Sequence, residues 1–315
     1  MHLNHSIYSF NYNDNESDLC KLESKSIFNQ EEQNKLLFSQ LKADPSSSAF
    51  IKKRLDIVLF SEDYATLIKA IKKEKLCIEG FKVEYLVLHG DTTEYAERLK
   101  KLRDIGYSIE GDSDYYKPTI TYALCHYKGV WYFGVLFKNS FDWHKHKNKP
   151  HSFSNSISST IAKALVNIAA QDNQKATLLD ACCGAGTIML EACFAGNNIE
   201  GCDINWKMCK HARENLAYFN YTANIYRSDI KDISLSYDAA IIDLPYNLYS
   251  SADDTQILHI IQSTAEITNR LIIVSTSDIT SFISKAGLSL SDYCDVSKRG
   301  KAIFTRKIWV CEKKE

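Results

Sequence analysis

From about Ser154 to the end of this 315-residue chain, strand-like and helix-like stretches alternate, and that alternation limits the possible folds more than any other feature. A helix over 157–170 leads in, followed by a strand at 176–181, a helix at 187–195, a strand at 198–202 and a helix at 206–219. Strands at 224–226 and 238–242, a helix at 252–268 and a strand at 270–275 continue the series. The segment 288–312 reads as a closing strand pair around Lys298-Arg299-Gly300-Lys301. Continuous apolar runs such as AAIID (239–243) mark strands buried on both faces, as in a parallel sheet. Crossover helices then cover both faces, which is the doubly wound α/β architecture.

The preceding residues read differently. Residues 6–12 alternate like a strand, and 17–28 has helical spacing of its apolar positions. Strands at 54–60 and 81–88 and helices at 64–75 and 93–105 follow. Two β-rich runs, 119–125 and 130–137, flank His126-Tyr127-Lys128-Gly129, which reads as a hairpin turn. A two-layer α+β region is expected, because these helices must cover one face of an antiparallel sheet. The sequence therefore divides into an N-terminal region over 1–140, a basic linker over 141–153 and a doubly wound domain over 154–315. The segment from Lys138 to His151, KNSFDWHKHKNKPH, interleaves lysine and histidine with Phe141 and Trp143. It fits both a solvated linker and a local nucleic-acid patch.

A net charge of -1 and a pI near 6.8 argue against a protein that coats nucleic acid indiscriminately, so an RNA partner would need such a local patch. No apolar run approaches the roughly 20 residues that span a bilayer, and the polar start MHLNHSIYSFNYNDNESD lacks a secretory core. The ten cysteines are scattered without any Cys-x-x-Cys, and Cys182, Cys183, Cys193 and Cys202 fall in apolar runs. Reduced thiols in a cytoplasmic protein, with no bound metal, are the expectation.

The first strand of the doubly wound half runs into Asp180-Ala181-Cys182-Cys183-Gly184-Ala185-Gly186-Thr187. A strand, a Gly-x-Gly turn and a helix let a ligand approach bare backbone. Many nucleotide enzymes share that device. A dinucleotide fingerprint would need glycine or alanine three residues past Gly186, where this chain has Met189, and no Gly-Lys-Ser/Thr is present for a triphosphate. Readings based on NAD or ATP lose ground accordingly. Asp203 stands just after the second strand, where a carboxylate can accept from ribose hydroxyls; it also reads as a cap for the helix at 206–219. Asp229 follows the third strand, where it can accept from an adenine amino group or end a turn. The fourth strand ends in Asp243-Leu244-Pro245-Tyr246. Ligands of such sheets bind beyond the carboxyl ends of the strands at the switch point, so the tips at 180–187 and 243–246 are expected to face one crevice.

Taken in order, DACCGAGT, CDIN, SDI and DLPYN resemble class I methyltransferases of the amino-methylating group, whose hallmark is Asp/Asn-Pro-Pro-Tyr. More narrowly, NKPHSFSNSISSTIAKALVNIA, DACCGAGTIMLEA and DLPYN are similar to the tRNA guanosine N2-methyltransferases that act at tRNA position 10, a family also catalogued as RNA methylases. The resemblance covers most of the chain, strongly over 150–247 and weakly before that. In the N-terminal half, Ile105-Gly106, Lys117-Pro118-Thr119-Ile120-Thr121-Tyr122 and Val130-Trp131-Tyr132-Phe133-Gly134 look like a diverged THUMP core. The implied fold is a class I Rossmann-like methyltransferase domain preceded by an α+β ferredoxin-like and THUMP-like RNA-binding region. The implied cofactor is S-adenosylmethionine, with Asp180, Cys182, Gly184, Gly186, Thr187, Asp203, Ile204, Asp229 and Ile230 around it and Phe153 at its methionine end. The implied catalytic residues are Asp243, Leu244, Pro245 and Tyr246, and the implied partner is tRNA in the cytoplasm. Leu244 departs from the pattern by replacing its first proline, but a backbone carbonyl does the hydrogen bonding there. Asn247 stands where the family often has glycine. Purely structural roles remain open for Phe153 as a hydrophobic staple, Asp180 as the orienter of the Gly loop, and Cys182 and Cys183 as packing residues.

An exocyclic amine is a poor nucleophile because its lone pair is delocalised into the ring. A carboxylate at Asp243 and the carbonyl of Leu244 can accept its two N–H bonds and favour a pyramidal nitrogen, an electrostatic preorganisation. Tyr246 can stack on the base, worth roughly 1–3 kcal/mol in single-strand binders. The tetrapeptide does not choose among amines, so adenine N6-methylation of RNA or DNA and glutamine N5-methylation remain alternatives, as does a non-catalytic RNA-binding protein with this fold. A cytosine C5 enzyme would need a cysteine nucleophile, often just after the proline, where this chain has Tyr246.

Overall fold

The computed structural model describes residues 4–154, 156–173, 175–245, 254–298 and 304–314. Contacts divide the chain into two units. One holds the residues up to Asn11 with Glu32–Ser46 and Phe50–Ser140; the other holds Tyr12–Glu31, Ser47–Ala49 and Phe141–Glu315. The main junction falls at 140/141, and Tyr12–Glu31 and Ser47–Ala49 pack in the second unit.

The first unit is built on a six-stranded sheet in the order β2-β1-β3-β6-β5-β4. Its strands are β1 (Ser6–Phe10), β2 (Leu36–Ser39), β3 (Ile51–Ser61), β4 (Phe81–Tyr85), β5 (Ile120–Tyr127) and β6 (Val130–Lys138). All neighbours are antiparallel except β4 and β5. Helices α2 (Tyr64–Lys73) and α3 (Tyr95–Gly106) bury Leu67, Ile71 and Ile105 against Leu124 and Phe133 of the sheet. A bulge at Val58 changes the face along β3, so that Ile57 and Leu59 join different cores. It brings the Asp56 carbonyl so near Gly134 that a Cβ there would lie 1.9 Å from that oxygen, which requires glycine at this point of β6. The expected two-layer α+β architecture is present here, with one parallel pair added.

The second unit carries a seven-stranded sheet in the order β12-β13-β11-β10-β7-β8-β9. Its strands are β7 (Thr177–Asp180), β8 (Asn198–Asp203), β9 (Ile225–Arg227), β10 (Tyr237–Asp243), β11 (Thr268–Ser275), β12 (Leu288–Lys298) and β13 (Phe304–Lys313). β7 to β11 run parallel and β13 inserts antiparallel beside β11. The order reverses between β7 and β10, which is the switch point where such sheets open a crevice. α7 (Asp254–Ile267) and α8 (Thr280–Lys285) cover one face through Ile260, Ile261 and Ile283. α4 (Ser159–Ala170) covers the other, capped by the Ser158 side chain and buried along almost its whole length. α5 (Thr187–Ala195) and α6 (Trp206–Tyr218) complete the doubly wound arrangement.

The early helix at 17–28, α1 (Ser17–Phe28), packs on α4 and β12 of this unit. Its fully buried Glu23 accepts hydrogen bonds from Ser48 Oγ (2.6 Å) and Asn167 Nδ2 (2.7 Å), while Leu19, Leu22 and Ile27 bury its apolar stripe. The expected linker also differs. Residues 142–148 form a 3-10 turn whose Trp143 and His146 are buried, with His146 Nδ1 2.8 Å from Glu191 Oε1. Trp143 is therefore packed in the core rather than displayed for stacking, while Lys138, His144, Lys145 and Lys147 stay exposed. Among the described residues no helix is long and apolar enough to cross a membrane.

Candidate active site

A cavity of about 510 Å³ opens at the switch point, beyond the carboxyl ends of β7, β8, β9 and β10. Phe153, Cys182, Gly184, Asp203, Ile204, Asp229, Ile230, Asp243, Leu244 and Pro245 all line it, so the sequence motifs do converge. Asp180, Gly186 and Thr187 stand one layer behind the wall. Tyr246 and Asn247 lie outside the described residues.

The Gly loop is shaped by two left-handed glycines. Gly184 has φ +50°, with open space where a Cβ would project, so its backbone faces the cavity bare. Gly186 has φ +76° and caps α5; a Cβ there would sit 3.0 Å from Ala212 Cβ on α6. The third small residue of a dinucleotide loop is replaced by Met189, and the relief appears on the strand side. A Cβ on Gly201 of β8 would lie 2.5 Å from Met189 Sδ, so Gly201 makes the room that Met189 fills.

Asp203 Oδ2 accepts the Gly184 N–H (3.0 Å) and Oδ1 accepts the Asn205 N–H (2.8 Å), tying β8 to the Gly loop. The expected cap role falls instead to Asn205, whose side chain accepts from Lys207 at the start of α6. Burial pushes the Asp203 carboxyl above its usual range, against those two N–H donors. Asp229 does cap a turn, accepting from the Lys231 N–H, and its Oδ1 also lies 3.2 Å from His259 Nε2 on α7. Although burial opposes it, these partners hold Asp229 below the usual carboxylate range.

Asp180 is buried at the tip of β7, and neither of its carboxylate oxygens has a hydrogen-bond partner among the described residues. Burial, then the Asp243 and Asp203 charges, push its carboxyl well above the usual range. Asp243, at the tip of β10, has an Oδ1 shielded from water and likewise unpartnered among the described residues. Burial pushes it up to about 7, with Arg306 pulling the other way. Leu244 sends its side chain into the core, and its N–H goes to the Val274 carbonyl (3.0 Å). Its place in the core explains why leucine substitutes for proline there.

Two features were not legible in the motifs. His259 and Gln256 of α7 line the cavity, and no pattern in the sequence pointed to them. Asn215 of α6, fully buried, donates to the carbonyls of His151 (2.9 Å) and Ala185 (2.8 Å) and accepts the His151 N–H (2.9 Å). That clamp fastens the segment before α4 to the Gly loop and sets Phe153 at the cavity. Phe153 is not a staple, since Ile157 precedes the cap Ser158. Cys182 lines the cavity and Cys183 is buried; burial raises both thiols well above their ordinary value, which suits packing rather than nucleophilic attack.

A loop of bare backbone, a carboxylate after each of the next two strands and Asp-Leu-Pro at the fourth tip thus meet at one cavity. Residues 147–290 match UPF0020, the RMKL-like methyltransferase domain. The chain is 33% identical over 123 residues to a tRNA (guanine(10)-N2)-dimethyltransferase of Methanothermobacter thermautotrophicus, covering 37% of this chain and 35% of the relative. It is 24% identical over 211 residues to the protein of that name from Methanocaldococcus jannaschii, covering 60% of this chain and 59% of the relative. The chain thus spans roughly a third and three fifths of the lengths of these relatives. A structural likeness to TrmN from Thermus thermophilus covers 98% of this chain and 100% of that one, at TM-score 0.48 and 14% identity.

Proposed function

We propose that the chain is an S-adenosylmethionine-dependent methyltransferase acting on the N2 amine of a guanosine in tRNA. The observation that carries methyl transfer to an amine is that Asp243 lines the same cavity as the Gly loop, with an Oδ1 that has no partner among the described residues. A buried acceptor left without a donor costs about 1–3 kcal/mol, and a substrate N–H would recover that cost. The names of the two archaeal relatives support guanine N2 in tRNA.

The residues present fit the cofactor. Asp203 keeps lone pairs for a ribose diol and Asp229 offers an acceptor to an adenine amine, both from the cavity wall, while the Asp180 carboxylate stands behind that wall and adds negative charge near the site for an ammonium group. When bound, S-adenosylmethionine supplies a methyl group already activated on a sulfonium. The chain's own contribution is then alignment and electrostatics. Asp243 and the Leu244 carbonyl accept the two N–H bonds of the amine, which frees the nitrogen lone pair from the ring. Pro245 lines the cavity beside them, and the stacking role read from the sequence for Tyr246 falls outside the described residues. Asp243 acts as a carboxylate acceptor, and the proton leaves after transfer. The first unit, in this reading, carries the tRNA through its THUMP-like region.

Asp243→Ala should lower methyl transfer by about 100-fold or more, as loss of a preorganised acceptor does. Its affinity for S-adenosylhomocysteine, measured by calorimetry, should stay within about threefold of the parent. An active variant would remove Asp243 from this role.

A further inference from the structure

We infer that Arg306 is a positioning residue for this reaction, holding the Asp243 carboxylate in its charged, amine-accepting form and anchoring the loop before α4 to the same spot. The inference rests on the function proposed above and concerns a residue that lies outside every motif of the site.

Register brings the two side chains to one face. Asp243 pairs with Val274 across β10 and β11, and Val274 pairs with Ile308 across β11 and β13. Directly paired residues point the same way, so Asp243, Val274 and Ile308 form one row on the α4 face of the sheet. Arg306 lies two residues from Ile308 on the same face, and because β13 is antiparallel it projects past the carboxyl end of β11 toward the cavity. The side chain is buried, and its Nη2 donates to the carbonyl of Ser156 at 3.4 Å. Ser156 and Asp243 both line the cavity, so one guanidinium stands behind both walls.

The electrostatics need such a cation. Among the described residues, Asp180 from β7 and Cys182 from the Gly loop also feel the Asp243 charge and neither can supply positive charge, while Asp203, Asp229 and His259 line the same cavity. Burial favours neutral Asp243, and Arg306 is the group that opposes it. A protonated Asp243 would have a hydroxyl in place of one acceptor and would hold the amine poorly. Arginine suits the position because it stays charged when buried, whereas lysine gives up its proton more readily there.

The test is the Asp243 titration itself, followed by 13C NMR of γ-labelled aspartate with the Asp243→Asn spectrum as reference. In Arg306→Gln the midpoint should rise by at least about one pH unit, and Arg306→Lys should return most of the way. In step with this, methyl transfer by Arg306→Gln should fall roughly fivefold at pH 7 and recover above pH 9. An unmoved midpoint in folded Arg306→Gln, or equal loss of rate at every pH, would overturn the inference. Should the parent protein transfer no methyl to tRNA, the proposed function fails, while the titration still decides the role of Arg306.

Discussion

At the scale of single residues, three aspartates at strand tips, two lining the crevice and one behind its wall, have been given three environments. Asp243 is shielded but offset by Arg306, Asp203 is held between two backbone N–H groups, and Asp180 is buried with no partner among the described residues. Asp203→Ala should weaken S-adenosylhomocysteine binding about 10- to 100-fold, the worth of hydrogen bonds to a charged acceptor; calorimetry showing full affinity would refute that role. Asp180 makes a prediction about stability. Its carboxyl is raised in the folded chain, so its contribution is fully present below about pH 4 and is lost as pH rises through the raised value. Asp180→Asn should therefore gain stability over the parent as pH increases, with the two nearly equal at pH 4. Each ~1 kcal/mol gained at pH 8 raises Tm by about 2–4 °C in a domain of this size. Thermal scans with a constant difference across that range would contradict the assignment. The same variant should lose cofactor affinity. The positions of these acids were legible because each follows a strand in sequence. Their environments were not, since Arg306, Asn215 and His259 reach the site from β13, α6 and α7 without any local signature.

At the scale of elements, periodicity located helices well and their partners poorly. The helix expected at 17–28 is present residue for residue as α1, and α5 spans the expected 187–195. Yet α1 belongs with the second unit, through Glu23, Ser48 and Asn167, contacts between residues far apart in sequence that no window of sequence contains. The short strand β2 and the six-residue α8 were missed because neither is long enough to display a period. The segment 141–153 misled for a different reason: its charge is real, but Trp143 and His146 alternate with it and turn inward. The Glu23 cluster can be tested directly. Glu23→Ala leaves Ser48 and Asn167 without their acceptor and should cost about 1–3 kcal/mol in urea unfolding. Glu23→Gln keeps one acceptor and should recover part of it. If both variants unfold at the parent midpoint, the cluster does not fasten α1.

At the scale of the whole molecule, the second unit carries every residue assigned to chemistry, and its strand order places the crevice between β7 and β10. The first unit adds an α+β sheet that holds none of those residues, and in the proposed function it carries the tRNA. Specificity for guanine N2 rests on the relatives, and adenine N6 would present the same two N–H bonds to Asp243. One measurement separates them. Purified protein, S-adenosylmethionine with a labelled methyl group and unmodified tRNA transcripts should yield labelled N2-methylguanosine by nucleoside mass spectrometry, and none with Asp243→Ala. Label in N6-methyladenosine instead, or in no nucleoside of any tRNA, would contradict the account.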